Sequence, residues 1–222
     1  MIPATLRYDV RRMFENTGTE DFQRNRKTGG LNIAALPTMS FNDRLFKRRH
    51  EVAGVDSAVI ILLDVSVSMF DTDVTGSNAY HAVQASAALL ATLHQAGVAT
   101  ALLTFGNNVS VLKPFEMHYR KAYPMLECIK SGGGTNDFVA LSHAHRMLYG
   151  RPEARKVVFV MTDGIGDQRA TRQQTVAGER LGVTTIGVGI QHDVSDTYPI
   201  NVTVRNVQDL GTVAFSKLKL AA

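Results

Sequence analysis

The amino-acid sequence predicts an α/β protein with a doubly wound, mostly parallel central sheet and helices on both faces. Three apolar runs without polar alternation, near residues 58–63, 98–106 and 157–162, are typical of strands that are covered on both sides. Segments of helical composition separate these runs, and such alternation indicates a parallel sheet. Two of the runs end at an aspartate, Asp64 and Asp163, and sheets of this kind bind ligands at the carboxyl ends of their strands.

Length and composition favour a single folded domain with an N-terminal extension. The 222 residues are 45% hydrophobic and 20% charged, close to the averages for globular proteins. We assign residues 1–54 to a basic extension that packs on the domain and residues 55–222 to the domain itself. No apolar run approaches the ~20 residues that span a bilayer, and the first residues, MIPATLRYDVRRMF, lack the apolar core of a signal peptide. We therefore expect a cytoplasmic protein.

The basic charge is concentrated in the N-terminal extension. Residues 1–50 contain 10 Lys and Arg against 5 Asp and Glu, whereas the whole chain has a net charge of +4. A basic arm can bind nucleic acid or an acidic protein face, or it can be a solvated helix surface. Its arginines alternate with Leu6, Val10, Met13 and Phe14 at helical spacing, which leaves isolated outward charges instead of a dense row of phosphate contacts. We expect this arm to contact a protein and not DNA.

The first fifty residues contain one predicted helix and two less regular segments. The spacing just described predicts an amphipathic helix over residues 6–14. Residues 18–30 are polar and basic with a Gly29-Gly30 break, which indicates an extended arm. For residues 41–52, FNDRLFKRRHEV, the periodicity fits a strand or a helix, and the choice stays open.

The elements of the domain follow from composition and from turn residues. Residues 79–96 are rich in Ala and Leu and stop at Gly97, which predicts a helix. A strand follows at 98–106, and residues 107–115 predict an antiparallel edge strand because Pro114 limits pairing. The same reasoning predicts further helices at 118–130, 137–149, 169–181 and 207–219, and further strands at 156–164, 183–190 and 201–205.

Oxygen-bearing side chains gather where the buried strands end. Asp64 closes one strand and is followed by Ser66 and Ser68, while Asp163 closes another strand at the same edge of the sheet. Two carboxylates close together are unfavourable unless a cation or a proton lies between them. Thr135 follows three glycines that permit close backbone approach, and it adds a third hydroxyl. Hard divalent cations prefer such oxygen ligands, so the sequence predicts a metal site.

The pattern Asp64-x-Ser66-x-Ser68, then Thr135, then Asp163 before a glycine, resembles the metal-ion-dependent adhesion site (MIDAS) of von Willebrand factor A domains. The resemblance implies that Mg²⁺, or another divalent cation, is bound directly by the two serines. It implies that the threonine and the aspartates bind directly or through water. One coordination position is left for a carboxylate of a partner protein, so the resemblance implies a docking site and not a catalyst.

A second resemblance covers the segment that precedes and enters the domain. Residues 14–36, residues 45–49 (LFKRR) and residues 55–69 are similar to the CobT-type subunit of aerobic cobaltochelatase and to related bacterial A-domain proteins. Val67 stands where the motif often has glycine, and the long N-terminal and acidic regions of the cobaltochelatase subunit are not in this sequence.

The second resemblance implies an adaptor for a hexameric AAA+ ATPase of the MoxR or CobS type. The sequence has no GxxxxGK[ST] phosphate loop, so ATP hydrolysis would belong to that partner. The alternatives are a subunit of a chelatase that inserts Co²⁺ or Mg²⁺ into a tetrapyrrole, and a stand-alone adhesion or assembly module.

Three further acidic residues lie near the predicted ligands in the sequence. Asp137 follows Thr135 closely and could support the metal site from behind, although an acidic residue in the first turn of a helix also complements the helix dipole. Asp71 and Asp73 lack the remaining ligands of a calcium loop. We expect these two to lie in a solvated loop at the rim of the metal face.

The histidines and the single cysteine do not predict a site. His143 and His145 are two residues apart on a predicted helix and therefore point in different directions, so surface or core packing roles are expected. Ser66 and Ser68 have no identifiable base that would make them nucleophiles. Cys128 lies in a helical pattern without a nearby basic cluster, and we expect it to be a buried structural thiol.

Overall fold

The structure is a computed structural model that describes residues 20–26, 30–31, 46–51, 56–70, 77–164 and 166–204. The helices predicted at 6–14 and 207–219, and the residues Asp71 and Asp73, lie outside this described part. Residues 15–55 form a compact unit separate from the one that contains residues 56–204. The division of the chain at residue 55 into extension and domain stays a prediction.

The smaller unit contains a three-stranded antiparallel sheet. Its strands are β1 (Glu20–Arg26), β2 (Gly30–Leu31) and β3 (Phe46–Glu51), in the spatial order β1-β3-β2. The register of β1 and β3 runs from Glu20 opposite Glu51 to Arg26 opposite Phe46, with one irregularity between them. Residues 46–51 of the segment left open in the sequence therefore form a strand, and residues 20–26 of the predicted extended arm form the strand β1. Both segments are strands because they pair with each other. Such pairing between distant parts of the chain is not visible in the local sequence.

The larger unit is built on a six-stranded sheet whose strands are parallel except at one edge. In chain order the strands are β4 (Ser57–Asp64), β5 (Ala99–Phe105), β6 (Val109–Lys113), β7 (Arg155–Thr162), β8 (Val183–Ile190) and β9 (Asn201–Val204). The spatial order is β6-β5-β4-β7-β8-β9, and β6 alone is antiparallel to its neighbour. The predicted antiparallel edge strand is confirmed.

Helices cover both faces of this sheet. They are α1 (Asn78–Gln95), α2 (Tyr123–Glu127), α3 (Asp137–Tyr149) and α4 (Gln168–Arg180). Every residue of β4 is buried, and Ile60 and Leu62 share a core cluster with Leu141 of α3. Since side chains alternate along a strand, Ile61 faces the other side, where α1 packs on β4. The predicted doubly wound α/β fold is confirmed, and no helix in the described residues is long and apolar enough to cross a bilayer.

The predicted helix at 118–130 is two shorter pieces. A 3-10 turn at Tyr119–Ala122 is capped by His118, and α2 begins immediately after it with a proline in its first turn. Proline favours the start of a helix because it has no amide hydrogen to donate. Cys128 is exposed and not buried as expected. It lies at the C-terminal cap of α2, where the short helix has already ended and no neighbouring element covers the thiol.

Lys113 closes the sheet at its antiparallel edge. The residue is only 1% exposed, and its ammonium group donates to the carbonyl of Thr100 and, at 3.2 Å, to the carbonyl of Pro114. Strand β6 pairs with β5 only from Leu102 onward, so the lysine supplies a donor where the ladder of backbone hydrogen bonds has ended. Burial lowers the pKa of Lys113 to about 8, against a smaller opposing effect of Glu116.

The lowered pKa of Lys113 predicts a stability that rises at alkaline pH. Between pH 8 and about 10.4 the unfolded chain keeps the lysine proton that the folded chain has lost, so the free energy of unfolding increases with pH. Urea unfolding of the wild type and of Lys113→Met across this range measures the effect. We expect the free energy of unfolding of the wild type to rise relative to that of Lys113→Met as the pH increases. For the control Lys130→Met, at an exposed lysine, the free energy of unfolding should depend on pH as it does in the wild type. The same pH dependence in Lys113→Met would contradict the prediction.

Candidate metal centre

The two predicted aspartates lie at the middle of the carboxyl edge of the sheet. Strand β4 lies between β5 and β7, and Asp64 is its last residue. The parallel register pairs Leu63 with Met161, which puts Asp64 beside Thr162, with Asp163 next along the chain. Both aspartates are buried, with exposed fractions of 0% for Asp64 and 3% for Asp163. The structure therefore brings them to one place, as the strand pattern predicts.

The carboxylate of Asp64 is held by two hydrogen bonds from different parts of the chain. Its Oδ1 accepts from the backbone amide of Ser66 at 2.8 Å, and its Oδ2 accepts from the hydroxyl of Thr162 at 2.7 Å. The first bond shapes the loop that leaves β4. The second joins β4 to β7 across 98 residues of sequence. The carboxylate is thus fixed in position by its own strand end and by the neighbouring strand.

Burial raises the pKa of Asp64 from 3.8 to about 6. The hydrogen bonds from Thr162 and Ser66 oppose this shift, and the charge of nearby Asp163 adds to it. A buried carboxylate next to another acidic group is destabilised in its charged form unless a cation compensates. The electrostatics of this edge therefore fit a bound cation.

The two serines present their hydroxyls side by side. Ser66 is buried and Ser68 is half-buried, and their Oγ atoms lie 3.1 Å apart. A 3-10 turn at Val67–Phe70 begins between them, with Met69 packed into the core. The chain bends into this turn directly after Ser66, and the two hydroxyls lie within hydrogen-bond distance of each other. Ser66, Ser68 and Asp64 form one group of oxygen atoms.

The loop of residues 132–134, which we call the glycine loop, lies directly against this group. Val67 donates its amide to the carbonyl of Gly133 at 2.8 Å, and the amide of Gly132 donates to the carbonyl of Val65 at 2.6 Å. Gly133 has a φ of +88°, and a Cβ atom there would lie 2.2 Å from the side chain of Asn107. Only glycine fits this backbone and this close approach. The half-buried Thr135 follows two residues later, at the same edge of the sheet.

Asn107 is a part of the site that the sequence analysis missed. It lies two residues after the end of β5. Its side-chain Oδ1 accepts from the backbone amide of Gly134 at 2.8 Å, and its backbone amide donates to the carbonyl of Gly132 at 2.8 Å. Thr162 was also missed, because it looks like the last residue of a strand and nothing more. The available signal was position, since both residues stand at the carboxyl ends of strands next to β4.

The donor set determines which cation the site can hold. Within the described residues no three His, Cys, Asp or Glu side chains converge on one point, so a site of the nitrogen and sulfur type is not formed there. Carboxylate and hydroxyl oxygens are the ligands of hard divalent cations such as Mg²⁺. Asp64, Ser66 and Ser68 form a set of this type, and Thr135 and Asp163 lie on the adjoining loops. Their assignment as ligands stays a prediction.

Asp137 lies at the start of α3, as its interpretation as a helix-start residue requires, and its support of the metal site stays a prediction. It is the first residue of α3 and is 4% exposed. Its Oδ1 accepts from the amide of Phe138 at 3.0 Å, and its Oδ2 accepts from the hydroxyl of Tyr198 at 3.5 Å. Burial raises the pKa of this carboxyl group. Its bonds to helix and tyrosine stabilise the helix start behind the glycine loop.

His145 fills the space between two helices and does not belong to the site. The side chain is buried, and its Nδ1 lies 3.4 Å from the side-chain amide of Gln174. A Cβ atom at Gly178 would lie 2.4 Å from the ring, so α4 can approach α3 this closely only because it has glycine there. Burial lowers the pKa of His145, which fits a neutral packing residue.

The family comparison agrees with the motif. Residues 59–165 match the model of the von Willebrand factor type A domain. This range begins in β4 and ends just after Asp163, so it contains all five predicted ligands. No curated protein matches the chain.

Solved structures share the architecture at low sequence identity. An aerotolerance-related membrane protein from Bacteroides fragilis is 17% identical with a TM-score of 0.65, and the match covers 75% of this chain and all of that one. BatB from Bacteroides thetaiotaomicron is 19% identical with a TM-score of 0.63, over 74% of this chain and 98% of that one. Proximal thread matrix protein 1 from the mussel byssus, solved with a zinc-occupied MIDAS motif, is 18% identical with a TM-score of 0.58. The match covers 75% of this chain and 48% of that one. At these identities the likeness establishes the fold.

Mg²⁺ should stabilise the folded chain through this donor set. A ligand that binds only the native state at a concentration of a hundred times its Kd adds about 2.7 kcal/mol to the free energy of unfolding. We expect Mg²⁺ to raise the melting temperature of the wild type, EDTA to reverse the rise, and Ser66→Ala to abolish most of it. Differential scanning calorimetry with Ser110→Ala, an exposed serine on β6, as control checks this. Equal melting of the wild type with Mg²⁺ and with EDTA would exclude the site.

Asn107→Ala should weaken Mg²⁺ binding without unfolding the domain. The substitution removes the side-chain bond that holds the glycine loop beside the serines, and such a bond contributes about 1 kcal/mol, or about fivefold in affinity. Isothermal titration calorimetry of Asn107→Ala against Asn108→Ala, its exposed neighbour, measures the loss. If the two variants bind Mg²⁺ equally well, the loop does not depend on Asn107.

Proposed function

We propose that this chain, whose residues 59–165 match the model of the von Willebrand factor type A domain, is a protein-binding adaptor that docks a partner through a divalent cation. The observation that carries the proposal is the buried carboxylate of Asp64 next to the paired hydroxyls of Ser66 and Ser68. The ligands would be Asp64, Ser66, Ser68, Thr135 and Asp163.

Mg²⁺ is the cation that suits these ligands best. It prefers oxygen atoms, is held in proteins by one or two carboxylates, and keeps several waters. When bound, the cation supplies a positive charge that attracts a carboxylate of the partner protein. The mussel thread protein with a zinc-occupied MIDAS motif supports the expectation that this fold holds divalent ions, with Zn²⁺ as a possible substitute.

The residues of this chain prepare the site before any partner arrives. Thr162 and the amide of Ser66 hold the Asp64 carboxylate in one orientation. The glycine loop and Asn107 hold the adjoining backbone against the turn that contains the serines. A site whose ligands are already in place loses little conformational entropy on binding.

Docking fits the site better than catalysis does. Nucleophilic catalysis by serine requires a base within hydrogen-bond reach. The hydroxyl of Ser66 lies beside the hydroxyl of Ser68, and no histidine among the described residues makes a hydrogen bond to either serine. The oxygen atoms at this edge are therefore arranged as ligands and not as a nucleophile with its base.

We infer that the docked partner is an AAA+ ATPase of the MoxR or CobS type. The resemblance of residues 14–36, 45–49 and 55–69 to CobT-type proteins implies such a partner. The support for this step is sequence alone. A chain without a phosphate loop would contribute the docking surface while its partner hydrolyses ATP.

Partner capture should depend on the metal and on Asp163. Affinity capture from native lysate, with the retained proteins identified by mass spectrometry, is compared in Mg²⁺ and in EDTA. We expect Asp163→Ala to reduce capture of the ATPase at least about tenfold, a loss of about 1.4 kcal/mol, because the cation is held more weakly. The matched control is Asp196→Ala, an exposed aspartate that should capture like the wild type. Undiminished capture by a folded Asp163→Ala protein would refute docking through the cation, and retention of chelatase subunits would favour the chelatase alternative.

A further inference from the structure

The outer side of α4 presents a row of arginines. Arg169, Arg172 and Arg180 are exposed, and together with Val176 they recur at spacings of three and four residues, which puts them on one side of the helix. The side that faces the sheet is different in character, because the buried residues of α4 are small or uncharged: Thr171, Thr175 and Gly178. The helix therefore has its charged side outward, as surface helices do, but its inward side has no large apolar residue among the buried ones.

The neighbouring helix α3 adds one arginine and two apolar side chains. Arg146 is exposed, and Phe138 and Val139 are 37% and 43% exposed. A depression of about 290 Å³ between the two helices includes these three residues, and another of about 420 Å³ lies along α4. We call the whole surface the arginine face, which consists of Arg146, Arg169, Arg172, Arg180, Phe138, Val139 and Val176.

In the part of the chain that the structure describes, none of the four arginines makes an ion pair, whereas Arg151 is paired with Glu153. Only one exposed carboxylate lies on α3 and α4, that of Glu179, because Asp137 is buried. The positive charge of the face is therefore available to a partner.

The chemistry of the face favours a protein partner. Guanidinium groups bind carboxylates in a bidentate geometry that lysine cannot reproduce, and α3 and α4 contain arginine but no lysine. Exposed apolar side chains accompany the charges, with Val176 in the middle of the row at 38% exposure. Arginine mixed with apolar side chains is typical of protein interfaces, whereas a nucleic-acid surface depends on a dense series of phosphate contacts.

We propose that the arginine face binds an acidic amphipathic segment of a partner protein. Glutamates or aspartates of the segment pair with Arg169, Arg172 and Arg180, and its apolar side chains cover Val176 and Phe138. The row from Arg169 to Arg180 is about 16 Å long, at 1.5 Å per helical residue, so a helix of about twelve residues matches it. This surface lies on the outer sides of the two helices, and none of its residues is a predicted ligand of the cation, so it is a second docking site in addition to the cation.

A designed peptide tests the proposal without knowledge of the partner. The probe is a fluorescein-labelled helical 14-mer with three glutamates, spaced three and eight residues apart to match Arg169, Arg172 and Arg180, and with leucine between them, including the position opposite Val176. Three comparison probes are a scrambled peptide of the same composition, a 20-base-pair DNA duplex, and vesicles of phosphatidylcholine with phosphatidylserine. Binding is measured by fluorescence anisotropy for the peptides and DNA and by sedimentation for the vesicles.

Charge reversal identifies the face that binds. We expect Arg169→Glu with Arg172→Glu to weaken peptide binding at least tenfold, and a peptide with lysine in place of glutamate to bind this variant better than it binds the wild type. The matched control reverses two exposed lysines on the 118–130 segment, Lys121→Glu with Lys130→Glu, and should bind the acidic peptide within twofold of the wild type. Circular dichroism melts confirm that both variants fold, and EDTA should not change the affinity.

Several results would overturn the proposal. Equal binding of the scrambled peptide would show a general charge effect without a helical match. Equal losses in the arginine and lysine variants would show that net charge, and not this face, is responsible. Tighter binding of the DNA duplex or of the vesicles, lost in the arginine variant, would assign the face to that ligand instead. Peptide binding that disappears in EDTA would place the peptide at the cation and not on α4.

Discussion

The structure of the candidate site depends on one buried carboxylate at the end of the central strand. Asp64 has no access to solvent, and its two oxygen atoms accept from Ser66 and Thr162. A charged group in this place is costly unless it is paired, which is why its pKa is raised to about 6. The same cost explains the surroundings, because the hydroxyls and the second aspartate form a set of ligands that a cation would complete.

Backbone contacts between loops hold this arrangement together. The turn after β4, the residues after β5 and the glycine loop before α3 exchange hydrogen bonds through Val65, Asn107 and Gly132. A Cβ atom at Gly106 would lie 2.6 Å from the carbonyl of Gly132, so the loops meet without room for side chains. A site built from such contacts keeps its shape when exposed side chains around it change.

The two proposed docking surfaces differ in chemistry. The carboxyl edge of the sheet would offer a cation to a single carboxylate, with a geometry set by few atoms. The arginine face would offer several guanidinium groups and apolar side chains along a helix, so its specificity would come from spacing and charge. A partner that engages both would gain avidity from linked contacts.

The sequence by itself determined the order and type of most elements in the domain and the ends of β4 and β7 at aspartates, because hydrophobic periodicity and turn residues are local properties. It also predicted Ser66 and Ser68 as metal ligands, from a spacing that is read along the chain. Only the tertiary structure decided that Asn107 and Thr162 support the site, that Cys128 is exposed, and that residues 46–51 form a strand. These depend on which segments meet in space, and a contact between residues far apart in the chain leaves no periodic signal in either segment.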